Sequence, residues 1–233
     1  MFSAYFNNEF FLLAITFISF LGFRFIQRKT GWVILNPILM SIVAIILVLK
    51  LTGVSYDTYN KSGHLIEFWL KPSVVALGVP LYLQLHSIKV QLIPILLSQL
   101  VGCLVGIVSV VFCAKFMGAS PAIITSLAAK SVTTPIAMEV TKSVGGIPSL
   151  TAAVVVCVGL FGAIFGFRIL TWGRVGSPIA QGLSMGTASH AVGASTAMGL
   201  SSKYGAFASL GLTVNGIFTA LITPTILKLL GVI

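Results

Sequence analysis

The sequence predicts an all-α polytopic membrane protein with about six to eight transmembrane helices. The first observation is compositional: 57% of the 233 residues are hydrophobic, only 8% are charged, and the mean hydropathy is +1.08. Soluble domains carry about 25% charged residues. The second observation is that apolar stretches of about 20 residues, enough to cross a bilayer, recur along the chain. We therefore expect residues 1–233 to form a single integral membrane domain.

The charge balance of the chain is strongly basic. There are 14 Lys and Arg residues against 4 Asp and Glu residues, which gives a formal net charge of +10. Most of the basic residues stand singly at the ends of apolar stretches, a pattern typical of membrane flanks rather than of a nucleic-acid-binding surface. The sequence thus predicts the lipid bilayer as a partner and no nucleic acid.

Motifs for catalysis and cofactor binding are scarce. The sequence contains no P-loop, GxGxxG or HExxH pattern. Cys103, Cys113 and Cys157 lie in apolar stretches without CxxC spacing, which indicates reduced thiols rather than metal ligands or disulfides. We predict that the protein is not an enzyme and has no cofactor and no metal site.

The candidate transmembrane helices are the apolar stretches 6–25, 31–49, 64–85, 90–114, 147–167 and 204–227. The third of them is interrupted by Lys71 and Pro72. Because proline removes a helical hydrogen bond and clashes with the preceding turn, we predict a structural break at Pro72.

Two further stretches, 120–140 and 177–202, are long enough to reach deep into a bilayer but are polar. The first contains Lys130, and the second is rich in Gly, Ser, Thr and Ala and contains His190. Such a backbone is tolerated at membrane depth only where protein or water surrounds it. We predict that both stretches are broken or re-entrant helices. The residues at which we expect the breaks are Pro135, Gly186 and Gly193.

The two polar stretches resemble each other. Each opens with Ser-Pro, at Ser120 and Ser177, about 57 residues apart, and each is followed by an apolar helix. The repeat units would be 120–176 and 177–233, which form a transport core, with 1–119 as a scaffold. If the polar stretches re-enter, the two copies are inverted, as in many secondary transporters.

Two alternatives stay open at this point. The polar stretches could cross the bilayer fully, although the distribution of Lys and Arg between the two faces slightly favours re-entry. The likeness of the two units could also arise from their shared Ser, Gly and Ala composition.

The cation in the first polar stretch marks the candidate binding site. A lysine at membrane depth is costly unless it faces a cavity, a counter-ion or an anionic ligand. Hydroxyls and half-helix N-termini nearby favour a small polar or negatively charged solute. The alternative is that Lys130 reaches the interface along its own stem. The predicted substrate-binding residues are Lys130, Ser131, Thr133, Thr134, Thr187, Ser189, His190 and Ser195.

Proton or ion coupling is predicted for Glu139 and His190. Glu139 is one of only 4 acidic residues, and free histidine changes its charge near neutral pH. The alternatives are a helix-end charge at the interface for Glu139 and a buried neutral ring, bonded to a hydroxyl, for His190.

Three strings carry a resemblance to a known family. They are AAKSVTTPIA at 128–137, GGIPSLTA at 145–152 and GTASHAVGAS at 186–195. From about residue 10 to its end the chain resembles the LrgB/CidB family. The resemblance implies a multi-pass protein of the bacterial inner membrane that acts with a small LrgA/CidA-type membrane partner in the control of autolysis.

The same resemblance implies a substrate class. Plant plastid relatives carry glycolate and glycerate, and some bacterial relatives are linked to pyruvate transport. We therefore expect a secondary transporter of small monocarboxylate anions, working as a homodimer or higher homo-oligomer. The alternatives are a holin/antiholin-like oligomeric regulator of murein hydrolases without solute turnover, and an intramembrane enzyme.

Overall fold

A computed structural model of the chain describes residues 8–31, 35–68, 72, 78–83 and 85–233. All regular secondary structure in these ranges is helical. The chain divides into two units, Met1–Ala76 and Leu77–Ile233, which are described one at a time. The expected single domain and the boundary at residue 119 stay predictions.

The first unit contains helices α1 (Glu9–Thr30), α2 (Pro37–Thr52) and α3 (Tyr56–Phe68). The side chain of Asn8 caps the start of α1, and Gly31 ends it in the left-handed conformation with a φ of 67°. Helix α1 packs against α2 and α3, and Thr16 Oγ1 lies 3.0 Å from the hydroxyl of Tyr59. The described residues of this unit therefore form one long apolar helix and two shorter ones, besides the single helical residue Pro72.

The predicted break at Pro72 is only partly described. Pro72 itself is exposed and helical, but residues 69–71 and 73–77 lie outside the described residues. The break at Pro72 stays a prediction.

The second unit is built on three long helices. After the short helices α4 (Gly78–Leu83) and α5 (Leu85–Val90) come the long helices α6 (Leu92–Phe116), α9 (Pro148–Trp172) and α11 (Ser202–Leu229). Between these long helices lie the short α7 (Pro121–Ala128) and α8 (Thr134–Ser143) and the bent α10 (Pro178–Met198). Helices α1, α6, α9 and α11 are the four in the described part of the chain that are long and apolar enough to cross a membrane. With the shorter apolar α2 and the two interrupted stretches, they confirm the predicted all-α polytopic membrane fold.

The first interrupted stretch consists of α7 (Pro121–Ala128) and α8 (Thr134–Ser143). Thr133 has extended backbone angles, with φ −61° and ψ 146°, and Pro135 occupies the first turn of α8. Proline is favoured there because its missing N–H has no helical partner at that position. Pro135 thus restarts the helix after the break.

The second interrupted stretch is α10 (Pro178–Met198), which bends sharply at Ser189 and His190. His190 has a φ of 43° and a ψ of −136°. A Cβ atom added to Gly193 would lie 2.3 Å from the carbonyl oxygen of Met185. In a straight helix these residues would be about 12 Å apart along the axis. The chain therefore turns back at His190, and the glycine permits the close approach.

Neighbouring helices show the direction of the first half of α10. Against α9, Gly162 faces Ser189 and Gly166 faces Met185, so the residue numbers run in opposite senses. The first half of α10 is therefore antiparallel to α9.

Against α11 the order is the reverse. Gly182 faces Tyr204 and Gly186 faces Ala208, so the first half of α10 runs parallel to α11. A Cβ atom at Gly186 would lie only 1.9 Å from the carbonyl oxygen of Ala208. Helices α9 and α11, which follow the two interrupted stretches, thus run in opposite directions.

The first stretch makes the equivalent contact. The hydroxyl of Ser126 in α7 accepts from the backbone N–H of Ile147 at 2.7 Å, and Thr151 Oγ1 donates to the carbonyl of Ser126 at 2.8 Å. About 57 residues later, Gly211 of α11 packs on Leu183 of α10. Both stretches therefore pack their first half on the helix that follows them. Because those two following helices run in opposite directions, the arrangement is that of an inverted repeat.

Candidate functional site

A cavity of about 630 Å³ lies in the second unit where the two helix breaks meet. Its wall is formed by α6, the break between α7 and α8, and helices α9, α10 and α11. Gly102 and Gly106 of α6 are among its lining residues, and most of the remaining wall is apolar. The polar residues that line it are Lys130, Ser131, Thr187, Ser189, Asn215 and Thr219.

Lys130 is the only charged side chain among the described residues that line this cavity. Its Nζ donates to the carbonyl of Gly106 at 3.4 Å and to Ser131 Oγ at 3.2 Å. Lys130 forms no ion pair with any carboxylate in the described part of the chain. Because a desolvated cation is stabilised by an opposite charge, this arrangement suits an anion in the cavity.

Asn215 of α11 joins the two breaks. Its Nδ2 donates to the carbonyl of Ser131 at 3.0 Å and to that of Thr187 at 3.1 Å. Breaks in a helix leave such carbonyls without their usual partners. The side chain is 1% exposed, and its Oδ1 has no hydrogen-bond partner among the described residues. In the sequence, a single asparagine in the middle of an apolar helix indicates a hydrogen bond to a neighbouring helix. It does not reveal that both bonds end at the cavity.

His190 forms the turn itself and faces α9. Its Nε2 lies 2.9 Å from the carbonyl of Val155, and the residue is 4% exposed. The ring packs against Gly159, where a Cβ atom would lie 2.7 Å from it. His190 is not among the described residues that line the cavity. Its role in binding or coupling stays a prediction.

The predicted substrate-binding and coupling residues divide into two groups. Lys130, Ser131, Thr187 and Ser189 line the cavity together. The remaining ones belong to the same interrupted stretches but are not among its lining residues, and Glu139 and Ser195 are exposed on the protein surface. The residues of this second group are Thr133, Thr134, Glu139, His190 and Ser195.

Gln99 of α6 is a polar residue that the sequence analysis did not single out. Its side chain is 3% exposed, and its Oε1 accepts a hydrogen bond from Thr187 Oγ1. The available signal was a glutamine in the middle of a long apolar stretch, where a buried amide needs a partner.

A hydrolase-like string also occurs in α10. Gly182-Leu183-Ser184-Met185-Gly186 matches GxSxG. In serine hydrolases this pattern forms a sharp turn between a strand and a helix that exposes the serine. Here it lies inside a helix, and its glycines serve close packing on α11.

The fold and the cavity define a multi-pass helical membrane protein with two interrupted helices, whose breaks meet at a cavity that contains one lysine among its described lining residues. Residues 16–229 match the family model described as the LrgB-like family, and the chain belongs to that family.

Curated relatives are similar over nearly their full length. A Staphylococcus epidermidis protein named holin-like protein CidB is 35% identical over 218 residues, which cover 94% of this chain and 95% of that protein. The Bacillus subtilis protein YwbG is 33% identical, with 93% and 96% covered. A Bacillus mycoides protein named antiholin-like protein LrgB is 30% identical, with 96% and 98% covered. No solved structure matches the chain.

Proposed function

We propose that this protein is a secondary transporter of small monocarboxylates of the pyruvate and glycolate class. The observation that carries the proposal is Lys130, which stands in a cavity between two helix breaks without a described carboxylate partner. Around a site of this kind, inverted repeats with broken helices let a transporter alternate between its two faces.

The size and composition of the cavity support an anion of this class. A volume of about 630 Å³ lies within the usual range for small-molecule sites and exceeds the needs of a three-carbon acid. The ammonium of Lys130 holds the carboxylate, and the hydroxyls of Ser131, Thr187 and Ser189 stand ready for its other polar atoms. Glu139 and His190, outside the cavity wall, are proposed for coupling to a proton or ion.

Uptake by purified protein in liposomes tests this function. Lys130→Ala removes a charged hydrogen-bonding partner, so we expect the efficiency of saturable carboxylate uptake to fall about 10- to 100-fold. Lys142→Ala, at an exposed lysine in the last turn of α8, is the matched control and should stay within about twofold of the unchanged protein. Equal uptake by both variants would end the proposal.

A second candidate function rests on the names of the relatives. Proteins named holin-like and antiholin-like are similar to this chain over more than 90% of its length. In this candidate the protein is a homo-oligomeric regulator of autolysis in the bacterial inner membrane, acting with a small LrgA/CidA-type partner. It predicts conductance or partner binding without saturable uptake, so the same reconstitution distinguishes the two functions.

A further inference from the structure

A second cavity, of about 450 Å³, lies beside the first and is not used by the proposed function. It runs between the first turns of α6 and the first turns of α10. No charged side chain is among the described residues that line it. Its polar lining residues are Gln91, Ser98, Gln99, Ser177, Ser184 and Thr187.

The two cavities follow one another along α6. The second cavity touches Ser98 and Gln99, and the first begins at Gly102, about one helical turn further on. Both cavities share Thr187 and Ala188 of α10 in their walls. The second cavity, beside Ser98, therefore lies in line along α6 with the first cavity, which contains Lys130.

One hydrogen bond stands where the two cavities adjoin. The hydroxyl of Thr187, which lines both, lies within hydrogen-bond distance of two acceptors: the carbonyl of Leu183 in its own helix and the buried side chain of Gln99 across the interface between α6 and α10. A contact between two uncharged side chains is inexpensive to break and to form again.

We propose that the second cavity is the access route by which a small anion reaches Lys130, and that the contact between Gln99 and Thr187 is its barrier. The proposal rests on the proposed function. The amides and hydroxyls of the route replace water around a carboxylate, and the absence of charge along its described lining avoids trapping the anion before the site. The route opens at the membrane face where α10 begins.

Cysteine labelling in membrane vesicles of known orientation tests the route. In a background with Cys103→Ala, Cys113→Ser and Cys157→Ser, Ser98→Cys should react with a membrane-impermeant thiol reagent from one face only.

The matched control for this labelling is Ser109→Cys. Ser109 is also an exposed serine of α6 whose hydroxyl bonds to a carbonyl three residues earlier, but it lines neither cavity and lies about 16 Å further along the helix. It should not react from the face that labels Ser98→Cys. Every other pattern of labelling overturns the route.

The barrier is tested with Cys157, which lines the first cavity, as the only cysteine. Gln99→Ala should raise its rate of modification from the Ser98 face about fivefold to tenfold, the effect of losing one hydrogen bond. Gln181→Ala, at a glutamine of α10 that lines neither cavity and bonds to the carbonyl of Val175, should change that rate by less than about twofold. An unchanged rate in Gln99→Ala, or an equal rise in both variants, overturns the barrier.

A second variant tests the barrier, and the labelling is independent of transport. Thr187→Val removes the hydroxyl at nearly constant shape and should also raise the rate, which supplies a second variant if Gln99→Ala does not fold. Labelling requires no substrate, so its failure leaves the effect of Lys130→Ala on uptake intact, whereas loss of that effect refutes the transporter and not the route.

Discussion

At the scale of single residues, Lys130 and Asn215 define the site: Lys130 brings a positive charge to the cavity, and Asn215 bonds to the backbone at both helix breaks. Lys130 could be predicted as a binding residue from the sequence, because a lysine at membrane depth is costly unless it faces a cavity, a counter-ion or an anionic ligand. The bonds from Asn215 to Ser131 and Thr187 were not predicted, since they join residues 84 and 28 positions away in the chain. A carbonyl freed by a helix break is invisible in a sequence. The acceptors of Asn215 therefore emerge only from the fold.

Replacement of Asn215 by leucine, whose side chain has the same branching but no polar atoms, should lower the free energy of unfolding by about 1–3 kcal/mol. The reason is that two carbonyls at the breaks lose their donor while remaining buried. Thermal unfolding in detergent measures the loss. Thr213→Ala, at an exposed residue of the same helix whose hydroxyl bonds to Ser209 of its own helix, is the control and should change stability by less than about 0.5 kcal/mol. Equal stability of the two variants would show that Asn215 does not hold the breaks together.

At the scale of the elements, the two stretches that contain interruptions were predictable, but the residues at which the second one turns were not. Ser-Pro at each start and Pro135 mark helix starts in the sequence, and they begin helices in the structure. In the second stretch the glycines suggested breaks at Gly186 and Gly193. Instead the chain turns at Ser189 and His190. The glycines lie on either side, where helices approach too closely for a side chain.

The backbone of His190 gives a prediction at this scale. Its φ of 43° with a ψ of −136° is a conformation that glycine tolerates and other residues adopt only under strain. Both His190→Gly and His190→Ala lose the bond to Val155, but only the glycine variant relieves the strain. We expect His190→Gly to be more stable than His190→Ala by about 1 kcal/mol in denaturant unfolding. The reverse order, which is normal inside a helix, would show that the turn is absent.

For the whole molecule, composition was enough to predict the membrane class and the mostly helical fold. Hydropathy does not show whether a stretch turns back inside the membrane. The choice between re-entry and full crossing of α10 therefore depended on contacts such as that of Gly193 with Met185. The glycine contacts of α10 with α9 and with α11 place those two helices in opposite directions, as an inverted repeat requires. The path between residues 69 and 77, where the third apolar stretch was expected, has only Pro72 among the described residues.

Re-entry of α10 has a direct consequence for topology. The loops before and after α10 should lie on one face of the membrane, while the loop before α9 lies on the other. Single cysteines at the exposed positions Arg174 and Lys203 should therefore react with an impermeant reagent from the same face, and a cysteine at Lys142 from the opposite face. Labelling of the Arg174 and Lys203 positions from opposite faces would mean that α10 crosses the bilayer completely.

The most direct test of the central claim, that the cavity between the two breaks binds a small carboxylate at Lys130, uses the thiol of Cys157 in the wall of that cavity. With Cys157 as the only cysteine, its alkylation rate is measured in purified protein with and without a panel of small monocarboxylates. The account predicts that a carboxylate slows alkylation in a saturable way, that its uncharged amide does not, and that Lys130→Ala abolishes the protection. Protection that survives Lys130→Ala, or a rate that no carboxylate changes, would contradict it.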